Sequence, residues 1–200
     1  MKIYVDTREQ LPIEFEGCEG VSEVIRTKLP YGDYAAGWED KKGNHIAFMP
    51  MFAERKGLGD LFGTLTSGIE RFKREIERAK EDKASLVIFV EGCFREVQVG
   101  AKYSTVDGET ILKTLHTLWV KYDVPYVLCN DREDMRDTII HFFSAIGRNF
   151  KPKGHEDENK DRTKEGVERS LAERKALVGE SSVFGCREPE ETGDNGQEEA

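Results

Sequence analysis

The chain has 200 residues, enough for one domain of ordinary size with a hydrophobic core and an additional tail. Its formal net charge of −9 at pH 7 is not that of a nonspecific nucleic-acid binder, because such proteins are normally basic. The acidic balance does not exclude a nuclease, since a metal site needs clustered carboxylates and the bound cation offsets their charge.

The chain begins with two predicted strands. Residues 2–6 form a short apolar, β-branched run that favours a buried strand and ends at Asp6. Pro12 stops regular structure, and residues 14–20 have the composition of a loop. Residues 21–29 have strand composition again, so a second strand is expected there.

A hairpin is predicted next. Residues 33–38 and 45–56 have strand patterns, and the polar residues 39–44 between them are typical of a turn. Side chains alternate between the two faces of a strand, so Glu54 and Lys56 would share one face of the returning strand.

After residue 59 the apolar residues recur at helical spacing, and helices alternate with strands that are apolar throughout. The predicted elements are a short helix at 61–65, a helix at 69–79, a strand at 84–91, a short edge piece at 96–101, a helix at 107–122, a strand at 125–129 and a helix at 131–148. This order predicts one α/β domain over residues 1–150.

Residues 151–200 lack apolar periodicity and hold more than half of the excess negative charge. Such a segment cannot bury enough apolar surface to offset the entropy lost on ordering, so we expect a charged, largely disordered tail. A helix over residues 163–177 is an open alternative, because Val167, Leu171 and Leu177 form a thin apolar line.

The chemistry is expected in residues 32–60. Asp33 begins one strand of the hairpin and Glu54 ends the other, so the fold would bring two carboxylates together. Lys56 follows on the face of Glu54, roughly 6–7 Å further along the strand. Two or three carboxylates suffice for Mg²⁺, which keeps several waters, and an ammonium at this distance would reach the attacking water or a phosphate.

Asp6 and Glu9, at the end of the first strand, would supply further acidic ligands. Taken alone, the triplet Glu54-Arg55-Lys56 is more often ordinary surface, and an Asp at a turn is more often a turn former. Two acidic clusters at strand ends, with Asp60 opening the next helix, favour a metal site that cleaves phosphodiesters.

Several blocks of this sequence resemble the XPF-type structure-specific endonucleases. The family's V-D-x-R-E, G-D and E-R-K-x-x-x-D motifs are similar to Val5-Asp6-Thr7-Arg8-Glu9, Gly32-Asp33-Tyr34 and Glu54-Arg55-Lys56 with Asp60. Residues 60–68 continue the family's D-L-x-x-S-L-x-x-G segment. The resemblance is strong over residues 3–91 and extends to about Arg148 in pattern only.

The resemblance implies a restriction-endonuclease-like core of the PD-(D/E)XK type, in which a central mixed β-sheet lies between helices in three layers. It implies Mg²⁺- or Mn²⁺-dependent cleavage of branched DNA, such as flaps, forks and junctions, in repair or recombination. Asp33 and Glu54 would be metal ligands, with Asp6 and Glu9 contributing. Lys56 would act on the water and the scissile phosphate.

The resemblance also implies roles for the flanking charges. Arg8 and Arg55 would contact phosphate or brace the acidic cluster, and Asp60 would support the site from the following helix. Where the family has an arginine after the first short helix, this chain has Ile69, so that DNA contact would be either missing or moved to Arg71.

Lys102 is a further candidate for DNA contact, with a solvated loop as the ordinary alternative. Nothing after residue 151 resembles the helix–hairpin–helix domain that many relatives use to dimerise and to grip DNA. A homodimer or heterodimer through the nuclease domain is therefore an open expectation. The alternatives to a nuclease are a non-catalytic DNA-binding or scaffold subunit and a protein-interaction module that uses the tail.

The four cysteines, Cys18, Cys93, Cys129 and Cys186, include no C-x-x-C pair, which argues against a zinc site or a secreted disulfide framework. The N-terminus lacks the apolar core of a signal peptide, and no apolar run approaches the roughly 20 residues of a membrane span. We therefore expect an intracellular protein, cytoplasmic or nucleoid-associated, without membrane contact.

Overall fold

The computed structural model describes residues 1–40, 42–102 and 104–150. The predicted tail at 151–200, its possible helix at 163–177 and the domain boundary at residue 150 lie outside the described residues or at their limit. The described elements are β1 Lys2–Asp6, β2 Glu23–Thr27, β3 Tyr34–Glu39, β4 His45–Phe48, β5 Met51–Gly57, α1 Leu58–Leu65, α2 Ile69–Glu81, β6 Ser85–Glu91, α3 Phe94–Val99, α4 Gly108–Tyr122, β7 Tyr126–Cys129 and α5 Arg132–Asn149.

The strands form one mixed sheet in the order β2-β1-β3-β5-β6-β7. Strand β4 also pairs with β3 but lies outside this order. Strand β1 is parallel to β2 and antiparallel to β3, and β3 is antiparallel to β5. Strands β5, β6 and β7 run parallel, so their carboxyl ends lie along one edge of the sheet. Glu54 and Lys56 lie near that edge.

Helices cover both faces of the sheet. Leu86, Ile88 and Val90 of β6 pack in a core cluster that also contains buried residues of α1, α2, α3 and α4. Val87 and Phe89 point the other way, into a cluster with α5. A strand that is buried on both faces needs apolar side chains along its buried part, which explains the apolar run at residues 86–90. The three-layer, restriction-endonuclease-like architecture with a mixed central sheet is confirmed.

The predicted strand at 45–56 is wrong as a single element. It consists of β4 and β5, which are separated by Met49 and Pro50. Both segments pair with β3, through Gly37 with Phe48 and through Tyr34 with Ala53. Proline lacks the N–H that a ladder needs, so the strand breaks there and resumes.

The predicted edge piece at 96–101 is also wrong, because residues 96–99 belong to the helix α3. The backbone N–H of Cys93 donates to Glu96 Oε2 at 2.8 Å, which closes a capping box at the start of the helix. The helix ends at Gly100, whose φ of 97° suits glycine. Predicted strand 21–29 is shortened to β2. No helix in the described part of the chain combines the length and the apolarity needed to cross a bilayer.

Gly32 fixes the chain next to Asp33. Its φ is 59°, and a Cβ atom there would lie 2.9 Å from the carbonyl oxygen of Ala53. The N–H of Asp33 donates to that carbonyl at 2.9 Å, and the Asp33 carbonyl accepts the N–H of Asp6 at 2.8 Å. Asp33 is thereby held between β5 and β1 by its backbone, immediately before β3.

Candidate metal and catalytic site

Asp33, Glu54 and Lys56 are brought together at one edge of the sheet. Asp33 Oδ2 accepts the backbone N–H of Arg55 at 2.8 Å, which joins Asp33 to the strand that carries Glu54. Lys56 Nζ donates to Glu54 Oε1. The side chains of Lys56 and Glu54 are only 14% and 10% exposed, so this ion pair is largely removed from water.

The two carboxylates are in an environment that disfavours their charge. Burial raises the pKa of Asp33 to about 7, and the neighbouring charge of Glu54 adds to the rise. Burial also raises the pKa of Glu54, although Lys56 opposes that shift. Burial alone would lower the pKa of Lys56, but its charge interaction with Glu54 raises it, so the ammonium stays charged. A bound divalent cation would relieve the repulsion between the carboxylates.

The chemistry of this donor set fits a hard cation. No cluster of three or more histidine, cysteine, aspartate or glutamate side chains is arranged to hold a metal within the described residues. Asp33 and Glu54 thus offer a two-carboxylate set. Mg²⁺ accepts such a set, because it keeps several waters and takes only one or two protein carboxylates.

Asp6 lies in a different set of contacts. Its Oδ1 accepts the backbone N–H of Arg8 at 2.6 Å and Arg8 Nε at 2.8 Å, and its Oδ2 accepts Arg8 Nη2 at 2.7 Å and the N–H of Leu29 at 2.7 Å. Burial alone would raise the pKa of Asp6, but these hydrogen bonds lower it. Both oxygens of the 1% exposed carboxylate are therefore engaged with protein donors.

Arg8 contacts buried protein groups and is also exposed to solvent. Its guanidinium holds Asp6 and donates to the Leu29 carbonyl at 2.9 Å, yet its side chain is 60% exposed. The hydrogen bonds to Asp6 raise the pKa of Arg8 most, and the charges of Glu75 and Asp33 raise it further. Arg8 is therefore placed near the acidic site with part of its guanidinium open to solvent.

Arg55 lies on the opposite face of β5 from Lys56. Its side chain is 7% exposed, with Nη2 at 3.3 Å from Glu9 Oε1 and Nη1 at 3.2 Å from Glu91 Oε2. Within the described chain, Arg55 Nε is buried without a hydrogen-bond partner. Glu91 Oε2 also contacts Arg132 Nη1 at 3.2 Å, and Arg132 Nη2 donates to the carbonyls of Leu11 and Pro12.

Two members of this ion-pair network, Glu91 and Arg132, are absent from the sequence-based candidates. A signal for Glu91 was present, since it is the charged end of an otherwise apolar strand at the sheet edge where ligands bind in α/β folds. Arg132 gave no such signal, because its position at the start of α5 is an ordinary place for a charged residue.

Glu75 of α2 is a third residue that the sequence did not single out. Its charge raises the pKa of Glu54, after the larger effect of burial. Phe72, one helical turn earlier on the same face, has its ring centroid 5.9 Å from Lys56 Nζ. The sequence shows that Phe72 and Glu75 share one face of a helix. It does not show that this face lies next to Lys56 of β5.

The remaining candidates are not part of the carboxylate pair. Asp60 is exposed in the first turn of α1, and its charge contributes, after that of Asp33, to the raised pKa of Lys56. Arg71 is exposed on α2, and Lys102 is exposed in the segment after α3.

Comparison with known proteins gives the family. The model of the ERCC4 domain matches residues 5–142. XPF from Aeropyrum pernix is similar with a TM-score of 0.55 and 20% sequence identity, over 90% of this chain and 76% of that one. A structure of XPF from Aeropyrum pernix in complex with DNA has a TM-score of 0.54 and 21% identity, over 74% of this chain and 64% of that one. None of the curated proteins matches the chain. The chain belongs to the ERCC4 domain family, with the fold of the XPF nuclease domain.

Proposed function

We propose that this protein is a divalent-metal-dependent endodeoxyribonuclease that hydrolyses phosphodiester bonds in branched DNA, such as flaps, forks and junctions. The observation that carries the proposal is the buried pair of Asp33 and Glu54 with Lys56 ion-paired beside it. Such a pair carries more negative charge than its environment favours, and a cation that binds phosphate would neutralise it.

Asp33 and Glu54 would hold Mg²⁺ or Mn²⁺ through their oxygens. When bound, the cation supplies Lewis-acid stabilisation of the phosphate and lowers the pKa of a bound water. Lys56 stays protonated next to Glu54, so it would stabilise charge that develops on the scissile phosphate and orient the attacking water. Asp60 would keep that ammonium charged from the start of α1.

Other acidic residues would position the site. The carboxylate of Asp6 accepts hydrogen bonds from Arg8 and Leu29 with both of its oxygens, so we assign it to bracing the end of β1 instead of to the metal. Glu9 would hold Arg55, and Arg55 would fix β5 from its far face. In a less favoured alternative, Asp6 and Glu9 also bind the metal, as expected from the sequence.

DNA would reach the site along exposed cations. Arg8 is the best placed. Its side chain is 60% exposed although it pairs with Asp6, and it lies near the acidic pair. Arg71 and Lys102 would contact phosphates further away. The structure of XPF from Aeropyrum pernix with DNA supports DNA as the partner. We further propose an intracellular role in repair or recombination, with dimer formation through the nuclease domain.

The decisive experiment uses the full chain with Mg²⁺ or Mn²⁺ on labelled duplex, flap, fork and junction DNA. Cleavage of the branched substrates is expected, with loss of cleavage in EDTA and in Asp33→Ala and Lys56→Ala. Cleavage that persists in both folded variants would overturn the proposal. Binding of branched DNA without any cleavage would instead favour a non-catalytic DNA-binding subunit.

A further inference from the structure

A surface next to the proposed catalytic site consists of Leu58, residues 93–100 and Asn130, and we call it the α3 surface. It borders a cavity of about 490 Å³. Its parts follow the carboxyl ends of the three parallel strands β5, β6 and β7, which is the edge where ligands bind in open α/β sheets. Leu58 comes only two residues after Lys56, so the cavity adjoins the catalytic strand.

Gly92 allows the end of the catalytic strand to reach the α3 surface. A Cβ atom at Gly92 would lie 2.8 Å from the Leu58 side chain. The N–H of Gly92 donates to the carbonyl of Cys129 at 2.8 Å, which holds this backbone next to β7. The Leu58 side chain therefore lies against the backbone at the end of β6 and connects β5 with the cavity.

The α3 surface presents an aromatic ring and a cation to solvent. Phe94 is 53% exposed and Val99 is 80% exposed. Arg95 is exposed, lines the cavity and forms no hydrogen bond or ion pair within the described residues. A guanidinium binds phosphate oxygens, and an exposed aromatic ring contacts the base or sugar of a nucleotide. The side chains of Phe94 and Arg95 thus have the chemistry of a DNA contact.

The carboxylates close to Arg95 in sequence already have other partners. Glu96 Oε2 accepts a backbone N–H at the start of α3 at 2.8 Å. Glu91 Oε2 lies 3.2 Å from Arg55 Nη1 and 3.2 Å from Arg132 Nη1. Arg55 and Arg132 are thereby engaged inside the protein, whereas Arg95 is available to an anion from another molecule.

Arg8 and Arg95 lie on opposite sides of the catalytic strand. Arg8 follows β1, Lys56 is near the end of β5, and Arg95 follows β6. The sheet order is β1-β3-β5-β6, and β3 is antiparallel to β1 and β5, so β1, β5 and β6 end at the same edge. A DNA strand that crosses this edge would therefore meet a cation on each side of the scissile phosphate.

We propose that the α3 surface binds the DNA strand beside the scissile phosphate, on the side away from Arg8. Arg95 contacts a backbone phosphate, and Phe94 contacts the adjoining sugar and base. This inference rests on the proposed nuclease function. The position next to Lys56 favours DNA over a second copy of the chain, because a copy bound here would obstruct the approach of DNA to Lys56.

The test measures binding of a labelled fork by fluorescence anisotropy at several salt concentrations, in EDTA so that no cleavage occurs. Arg95→Gln should weaken binding about fivefold. It should also reduce the slope of log K against log salt by about 0.7–0.9, the contribution of one phosphate contact. Arg148→Gln makes the same charge change at the other end of the 18-residue helix α5 and should leave the slope unchanged.

Phe94→Ala tests the aromatic contact. It should weaken binding at least about fivefold at every salt concentration and leave the slope unchanged, because the lost contact is not ionic. Phe150→Ala is the matched control, since Phe150 is 46% exposed at the end of α5, and its affinity should equal that of the wild type.

Unchanged affinity and slope in a folded Arg95→Gln variant, checked by thermal melting, would overturn the inference. Native mass spectrometry tests the other occupant: loss of a dimer in Phe94→Ala with unchanged DNA affinity would make this surface a contact between copies and refute the DNA contact. Photocrosslinking of the wild type to DNA that carries 4-thiothymidine adds a readout without any variant. Crosslinks in residues 93–99 support the inference, and crosslinks confined to other regions contradict it.

The two proposals can fail separately. Binding that depends on Arg95 and Phe94, without cleavage of any substrate, would support the α3 surface and refute the nuclease. Cleavage of branched DNA with unchanged binding and rates in Arg95→Gln and Phe94→Ala would support the nuclease and refute the α3 surface. A wild-type protein that neither binds nor cleaves the fork would refute both.

Discussion

Arg55 and Glu91 form an ion pair between the adjacent parallel strands β5 and β6, with Arg55 Nη1 3.2 Å from Glu91 Oε2. Glu91 is aligned in the ladder with Gly57, so the Arg55 side chain reaches along the sheet edge to meet it. The same Glu91 oxygen contacts Arg132 of α5. One carboxylate thereby ties the strand of the proposed catalytic residues to the helix on the far face of the sheet.

Glu91→Gln is expected to lower the free energy of unfolding by about 1–3 kcal/mol, because the largely buried Arg55 guanidinium loses a charged partner. Urea denaturation measures the change. Glu109→Gln is the matched control, since the pair of Glu109 and Lys113 has both side chains 72% exposed and should contribute less than about 1 kcal/mol. Equal effects of the two substitutions would contradict a structural role for Glu91.

The metal-free protein should lose stability as the pH rises from about 4 to about 7. The pKa of Asp33 is about 7 in the folded protein against an ordinary value of 3.8, so the folded state binds the proton more tightly in this window. Asp33→Asn removes the ionising group and should flatten this part of the profile. Thermal melting in EDTA at pH 5 and pH 8 measures both proteins. A wild-type profile that rises over this range and matches that of the variant would refute the assignment.

Mg²⁺ should raise the melting temperature at pH 8, because it binds the folded carboxylate pair and leaves the unfolded chain unaffected. At a concentration of 100 times Kd the gain would be about 2.7 kcal/mol. Asp33→Asn should abolish the response, whereas Asp123→Asn, at the end of α4, should keep it. A shift of equal size in all three proteins would indicate nonspecific ion effects.

Lys56→Met should reduce cleavage at least about a hundredfold while the protein stays folded, because the scissile phosphate would lose the ammonium that we propose stabilises its developing charge. The buried Glu54 would also lose its charged partner, so its pKa would rise further. Lys73→Met, on α2, is the control with an expected change of less than about twofold. Initial rates on a fork substrate and melting temperatures give the two readouts. A folded Lys56→Met protein with full activity contradicts the mechanism.

Glu75→Gln should move the onset of Mg²⁺ binding to lower pH. The charge of Glu75 helps to raise the pKa of Glu54, so its removal lets Glu54 ionise more readily. Calorimetric titration of Mg²⁺ at several pH values measures the shift. Glu77→Gln, exposed on the same helix, should leave the onset where it is. An unchanged onset in Glu75→Gln would place Glu75 outside the site.

The sequence predicted the features that depend on the residue pattern within a single strand. Alternation along β5 placed Glu54 and Lys56 on one face, and the continuous apolar run of β6 indicated burial on both sides. The break at Pro50 and the helix α3 were missed, because short segments of mixed pattern fit either a strand or a helix.

Contacts between distant elements could not be predicted in this way. Asp6 accepts the N–H of Leu29 from a loop distant in sequence, and the charge of Glu75 acts on Glu54 because α2 packs against β6, the neighbour of β5. These contacts depend on which elements become neighbours in the folded chain. A motif that contains Asp6 therefore identifies an acidic residue but does not distinguish a metal ligand from a brace.

The alternation of side chains along β5 also restricts where residues can be inserted into the chain or deleted from it. Adding or deleting one residue between Phe52 and Glu54 would exchange the faces of the strand and turn the Arg55 guanidinium toward the proposed metal site. The same mutation would direct the Lys56 ammonium toward Glu91 on the far face. Relatives with this chemistry should accept insertions and deletions elsewhere, while Met51–Gly57 keeps a constant number of residues.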